Sequence, residues 1–191
     1  MTSARLDFYS LFFQPSEWIG EQQIREVGTG HILWWVAAAA LSQAVGDMLA
    51  SNQSNAHVLA WVVIGSGLHL SVTIAATMAF CAFATLSFWE FPARLEGRLF
   101  FRLALLAYLP FLLATPLALI ARYFGAVWMF WIPARLGLWC WSLYLLFTGL
   151  REAMGLSVLR SIAVLIVAEG FVFLTLGLSM LLTIYRLILQ F

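Results

Sequence analysis

The reading turns on VWMFWIPARLGLWCWSLYLLFTG (residues 127–149), the polar hinge LREAMGLS (150–157) and VLRSIAVLIVAEGFVFLTLGLSMLLTIY (158–185). Each flanking run exceeds the roughly 20 apolar residues a helix needs to cross a hydrocarbon core of about 30 Å. Each also carries one ionisable residue deep inside, Arg135 in the first and Glu169 in the second. A charge at that depth is costly unless paired or hydrated, so the two demand a joint explanation. Helices joined by a short hinge are antiparallel neighbours. Arg135 lies eight residues, about 12 Å, from one end of its helix, and Glu169 eleven residues, about 16 Å, from the opposite end of the next. In a core of about 30 Å these depths match, so the spacing predicts an Arg135–Glu169 ion pair. Such a pair fixes the rotation of two helices; the sharper alternative is a switchable pair on a transport path. The structural reading carries more weight, because a transporter more often shows further intramembrane acids.

The rest of the chain agrees with a multispan membrane protein. Of its 191 residues 63% are hydrophobic and only 10% charged, a surface no soluble domain of this size can cover with polar groups. A net charge of +1 gives no footing for a nucleic-acid partner. All ten basic residues are arginine, which excludes a phosphate-loop lysine, a Schiff base and a lysine general base. Cys81 and Cys140 sit inside apolar runs, where cysteine is usually a small core residue. Residues 1–30 form a cytoplasmic segment with no signal-peptide pattern, since acids precede the first apolar run. Pro15 to Val27 reads as a short interfacial helix, Pro15 at a first helical position, with Trp18 and Ile19 dipped into lipid. The equal alternative is that this helix packs on the protein's own cytoplasmic face.

The five expected spans are about 31–49, 57–89, 99–121, 127–149 and 158–187, an all-α polytopic fold. Trp34 and Trp35 suit an interfacial aromatic belt, and the run Ala37 to Ala40 a smooth packing face. Gln43 and Asp47, four apart, share one face of the first span. The second span is 33 residues, about 50 Å as helix, so it must tilt, bend near Gly65 and Gly67, or outrun the bilayer. Two stripes run along it. Gly67, Ser71, Ala75 and Ala79 are small and suggest a tight helix seam. His69, Thr73, Thr77, Cys81 and Thr85 are polar and suit a wet path with His69 as a proton acceptor. The plainer and favoured alternative has the threonines bonding back to their own helix and His69 bonding one neighbour. The third span contains Pro110 and Pro116. Each removes a donor and frees a carbonyl one turn back, which neighbouring helices or water must satisfy, so a kinked, centrally packed helix is expected.

Arginine placement sets orientation. Arg5, Arg25, Arg94, Arg98, Arg102, Arg151 and Arg160 fall on one side, Arg122 and Arg186 on the other. Seven against two puts the N-terminus in the cytoplasm and the C-terminus outside. Arg94, Arg98, Arg102, Arg151, Glu152 and Arg160 are then the candidates for contacting a cytoplasmic partner.

Tyr108-Leu109-Pro110 in the third span, the segment from Thr148-Gly149-Leu150-Arg151 through Ser157-Val158-Leu159-Arg160, and the opening Leu11-Phe12-Phe13-Gln14-Pro15 together resemble the Yip (Ypt-interacting protein) domain family, in its short bacterial form. The resemblance runs from about Leu11 to Tyr185. It implies a five-helix integral protein of a bacterial inner membrane with no known catalytic centre. The chain lacks the long N-terminal region and the Asp-Leu-Tyr-Gly-Pro motif of the members associated with small GTPases, so GTPase binding is not carried over.

Catalytic patterns are weak. Gly65-Ser66-Gly67 is too short for a hydrolase elbow, and His31, His57 and His69 are scattered without a metal-binding motif. Asp47 and His57 together are only two ligands, too few for zinc. The expectation is therefore a non-enzymatic, cofactor-free membrane scaffold or accessory subunit. Its partners are the lipid bilayer and another membrane protein or a second copy. The alternative is a small transporter or channel using the His69 stripe with Arg135 and Glu169.

Overall fold

The structure is a computed structural model of the whole chain. It describes residues 8–15, 19, 24, 27–51, 58–87, 97–125, 127–167 and 169–170. The described elements are all helical. They are α1 (Phe8–Phe13), α2 (Thr29–Ser51), α3 (Val58–Ser87), α4 (Gly97–Leu106), a 3-10 turn (Leu109–Leu113), α5 (Ala114–Tyr123) and α6 (Val127–Glu152), followed by α7 (Val158–Val167). Four stretches are long and apolar enough to cross a membrane: Thr29–Ala50, Val58–Ala82, Gly97–Tyr123 and Met129–Glu152. They coincide with the first four expected spans. Most of the expected fifth, 158–187, lies outside the described residues.

Helix α2 is the hub, packed against α3, α4, the 3-10 turn, α5 and α6. Lipid tails are as apolar as leucine, so close packing and hydrogen bonds hold membrane helices together rather than escape from water. The sequence of α2 suits this. Ala39, Ala40 and Ala44 are buried and present little bulk. A Cβ on Gly65 of α3 would stand 3.2 Å from the Ala44 Cβ, so the α2–α3 seam runs through Gly65. The expected seam of small residues is corrected here. Gly67, Ser71 and Ala75 are exposed, and only Ala79 packs partly against the core. The helix rotates so that its polar stripe, not its small one, faces inward, because hydroxyl and imidazole groups find partners there.

The third span is kinked as its prolines require. Helix α4 ends at Leu106, the chain tightens into the 3-10 turn at Pro110, and α5 resumes at Ala114. Pro116 cannot bond the carbonyl of Leu112, one turn back. That carbonyl accepts from the Ser42 hydroxyl of α2 at 2.8 Å. The Thr115 N–H, an unmatched donor at the start of α5, donates to the same Ser42 oxygen at 3.0 Å. The Thr115 hydroxyl donates to the Ser42 carbonyl at 2.9 Å. One serine thus closes the backbone of a broken helix. Ser42→Ala removes a donor and an acceptor together. It is expected to cost about 1–2 kcal/mol, the upper range for polar contacts inside membranes, with Ser42→Thr costing less. Reversible unfolding in mixed micelles measures the difference.

Two cores form on either side of the middle of the bundle. One gathers Leu11, Ile24, Ile32, Phe100, Leu145 and Leu150; the other gathers Ala39, Ala114, Ala118, Trp131 and Leu138. Tyr108 packs against both. The rings of Phe80 on α3 and Phe100 on α4 stack with centroids 5.0 Å apart.

The start of the chain belongs to the first core. Leu11, Ile19, Ile24 and Val27 are buried, and the Phe12 and Phe13 rings meet Trp141 of α6 edge-on. Ile19 therefore packs into the protein rather than dipping into lipid, and the alternative of packing on the protein's own face describes its surroundings. Trp18 and most of Pro15–Val27 lie outside the described residues. Arg102 of α4 helps to anchor the segment: its Nε donates to Thr29 Oγ at 2.9 Å and its Nη1 to the Ile24 carbonyl at 3.3 Å. It is corrected from a partner-facing arginine to an internal clamp.

The hinge is shorter than its sequence suggested, because α6 runs on to Glu152. Gly155 then takes φ +63, a left-handed turn that costs a glycine little. The Leu156 N–H reaches back to the Leu150 carbonyl at 3.3 Å, and the Ser157 carbonyl accepts from Ser161 N–H at 2.9 Å to open α7.

Candidate functional site

The candidate site lies between the two cores, where α2, α3 and α6 each bring one ionisable side chain to a point. Asp47 on α2 is its centre. Its Oδ1 accepts from Arg135 Nη1 of α6 at 2.6 Å. Its Oδ2 lies 3.1 Å from His69 Nε2 of α3. An ionised carboxylate has no proton to give, so the imidazole carries its hydrogen on Nε2. In the neutral ring this leaves Nδ1 as the proton-accepting nitrogen. The Arg135–Asp47 distance is that of a strong charge-assisted hydrogen bond.

Secondary structure explains the convergence. Gln43 and Asp47 occupy successive turns on one face of α2. His69 is one turn beyond Gly65 on α3, and the close approach at Gly65 brings it against Asp47. Pro133 lies inside α6, two residues before Arg135. One turn from Asp47, the Gln43 amide donates to the Tyr108 hydroxyl, which the kinked third span carries to the centre.

A cavity of about 250 Å³ opens beside this network. Its polar lining includes Gln43, His69, Thr73, Tyr108, Arg135 and Glu169. At about 30 Å³ per water, it has room for roughly eight waters or one small solute. A second cavity of about 300 Å³ lies between α2 and α3, lined by Asp47, Trp61, Leu68 and His69 among others. His69 lines both, so the Asp47–His69 contact stands between them.

The expected Arg135–Glu169 bridge is not what the structure shows. Arg135 is taken by Asp47, and among the described residues no ion pair joins it to Glu169. Glu169, itself helical and two residues past Val167, lines the same cavity as Arg135. Depth allowed both partners. Asp47 lies four residues, about 6 Å, from the end of its helix and Arg135 eight, about 12 Å, from the matching end, a gap that a long arginine side chain spans. The signal for Asp47 was present: it is the one acid inside the first span.

The polar stripe divides. His69, Thr73 and Thr77 line the cavity. Thr73 also donates to the His69 carbonyl at 2.8 Å, the back-bonding expected of a threonine in a membrane helix. Cys81 is half-buried against the first core. The Thr85 side chain lies outside the described residues, as do His57 and Arg94. Arg98, Arg151, Glu152 and Arg160 are exposed at the bundle end that holds the hinge. Arg151 sits over the Phe147 ring, 6.0 Å from its centroid. Among the described residues no three His, Cys, Asp or Glu side chains gather closely enough to hold a metal ion.

Apolar helices of this length and composition define a membrane-embedded protein. Comparison of the chain with protein-family models, curated proteins and solved structures found no match.

Proposed function

We propose that the chain is a five-span integral membrane protein that binds a small solute in its central cavity and conducts or carries it across the bilayer. The observation behind this reading is the Asp47–Arg135–His69 network, whose His69 and Arg135 line a cavity about 250 Å³ in volume. Three ionisable groups inside a membrane bundle are costly, and such groups generally mark solute or proton paths. A bridge serving only to fix helix rotation needs two groups and no cavity. Here the carboxylate is shared, and His69 separates two cavities, the arrangement of a gate.

Purified protein in liposomes tests this directly. Wild type is expected to raise the permeability to protons or to small solutes such as methylammonium, glycerol or formate above that of protein-free vesicles. His69→Ala and Asp47→Asn are expected to change that flux at least tenfold. Wild-type vesicles no leakier than empty ones would sink the proposal.

A scaffold or accessory role is the second reading, and the outer face of α3 favours it. Leu59, Val63 and Met78 are exposed there, so this helix gives apolar side chains to lipid or to another membrane protein. The hinge resemblance to the Yip family fits either reading, with an inner-membrane location, a cytoplasmic N-terminus and the exposed Arg98, Arg151 and Arg160 on the cytoplasmic side. We propose no enzymatic activity. Mild-detergent purification at native expression tests the scaffold role: stoichiometric co-purification of a membrane protein supports it, and a protein that runs strictly alone counts against it.

A further inference from the structure

We propose that the groove between α2 and α3 binds a single-chain alcohol dissolved in the bilayer, its hydroxyl donating to the Asp47 carboxylate. The site is separate from the central cavity and does not rest on the reading of that cavity as a solute path.

The groove, about 300 Å³ in volume, opens to the side of the bundle. Trp61, Ile64 and Leu68 form its wall on α3 and are exposed. Spaced three and four residues apart, they make one stripe along the helix. Exposed apolar side chains on a spanning helix meet hydrocarbon, which is as apolar as they are. Ala44 and Gly65 line the groove where the two helices meet, and they carry little bulk.

Asp47 is the polar point of this lining. Its side chain remains 33% exposed although it already contacts Arg135 and His69. It lines the groove and not the central cavity, so its open surface is turned to the lipid side. An ionised carboxylate has about four acceptor sites. Among the described residues Arg135 and His69 engage two of them. A hydrocarbon tail supplies no donor, and an acceptor left bare in apolar surroundings is costly. The groove therefore calls for a donor that travels in the lipid. A hydroxyl leaves water for such surroundings far more cheaply than an ionised ammonium. Ethers, esters and carboxylates bring only acceptors, which oppose the lone pairs of Asp47.

Depth gives the occupant its direction. Asp47 is four residues, about 6 Å, from the end of α2, and Trp61 is three residues, about 5 Å, from the start of α3. Leu68 is ten residues, about 15 Å, from that start. The polar group thus lies at the shallow end, and the apolar wall continues toward the middle of the membrane. That is the orientation of an amphiphile in a bilayer. At about 30 Å³ for each water-sized group, the groove holds roughly ten, a hydroxyl and the first eight or nine carbons of a chain.

The test uses the full-length chain in nanodiscs of phosphatidylcholine, a lipid with no O–H or N–H donor of its own. A diazirine analogue of 1-octanol is photolysed in these discs, and the labelled residues are read by mass spectrometry. Labelling is expected on Trp61, Ile64 or Leu68. At equal concentration in the lipid, 1-octanol should displace the probe at least tenfold more effectively than heptyl methyl ether, an isomer without a donor. Leu68→Trp, which places bulk in the groove, should abolish the labelling. Asp47→Asn should cut the advantage of the alcohol over the ether to less than threefold, because a neutral amide oxygen is a weaker acceptor than a carboxylate. Equal displacement by alcohol and ether overturns the proposal, as does a full alcohol preference in Asp47→Asn. Labelling centred on Thr77 or Ser142 of the central cavity, or spread evenly over the lipid-facing helices, overturns it as well. Should Asp47→Asn fail to fold, the probe order on wild type and the Leu68→Trp result still decide.

Discussion

Asp47→Ala is expected to destabilise the protein by about 3 kcal/mol, the cost assigned to an uncompensated arginine in the middle of a membrane helix. The carboxylate accepts from Arg135 and His69 at once, so its loss strands a guanidinium and a ring N–H. Arg135→Gln in the same chain should recover most of the loss, since no charge is then left alone, whereas Arg135→Gln by itself leaves Asp47 with only the imidazole. The double-mutant cycle isolates the coupling, which should exceed 1 kcal/mol for residues in direct contact. Steric trapping or SDS unfolding in bicelles measures it. Additivity of the two substitutions would show that the ion pair contributes nothing to stability. Glu169→Gln is expected to leave stability nearly unchanged, because among the described residues it breaks no pair.

The second large effect is expected at Gly46. A Cβ there would meet Trp131 Cη2 at 2.8 Å, the Ala114 carbonyl oxygen at 3.1 Å and its carbon at 3.2 Å. The tryptophan rim could turn aside, but the Ala114 backbone cannot, because Ser42 and Thr115 tie the start of α5 to α2 one turn away. Gly46→Val should therefore cost about 3 kcal/mol, at the upper end of overpacking losses, and should push α5 and α6 away from α2. Since Arg135 lies one turn past Trp131 on α6, the same change should lengthen the Arg135–Asp47 contact and lower any flux that depends on it. Adding Trp131→Phe should restore part of the stability, as it relieves the ring contact and leaves the backbone one. A fully stable Gly46→Val protein would contradict the packing of these three helices. At Gly149 a Cβ would meet the side chain of Leu103, whose Cγ and one methyl would stand 2.8 Å away, so this buried leucine would have to shift.

Much of the architecture was legible because a bilayer limits the options. Long apolar runs must be helices, and Pro110 with Pro116 had to break one and require outside partners. The kink at the 3-10 turn and the Ser42 donor to the Leu112 carbonyl meet that requirement. Which residue supplies the donor was not legible. Ser42 is one hydroxyl among many in the apolar runs, and only the approach of α2 to α5 singles it out. The two stripes of α3 show the same limit. Fourth-residue spacing revealed that a small face and a polar face existed, but the helix turns the polar one inward. Gly65, outside the chosen small stripe, makes the close contact.

The ion pair marks the boundary most sharply. Residue order determined that Arg135 sits deep in an apolar helix and that an acid must answer it, since an unpaired guanidinium there is expensive. It offered two acids at compatible depth, Glu169 on the following helix and Asp47 on the first span. Depth is a one-dimensional quantity set by counting residues, whereas the choice of partner depends on which helix faces stand opposite each other. That rotation is decided by side-chain packing across α2, α3 and α6, with Gly46 and Gly65 permitting the approach. The sequence by itself determined a membrane bundle with a buried charge to be balanced. The tertiary structure gave Arg135 to Asp47 and placed Glu169 on the wall of the cavity beside them, because only packing brings residues 47, 69 and 135 to one point.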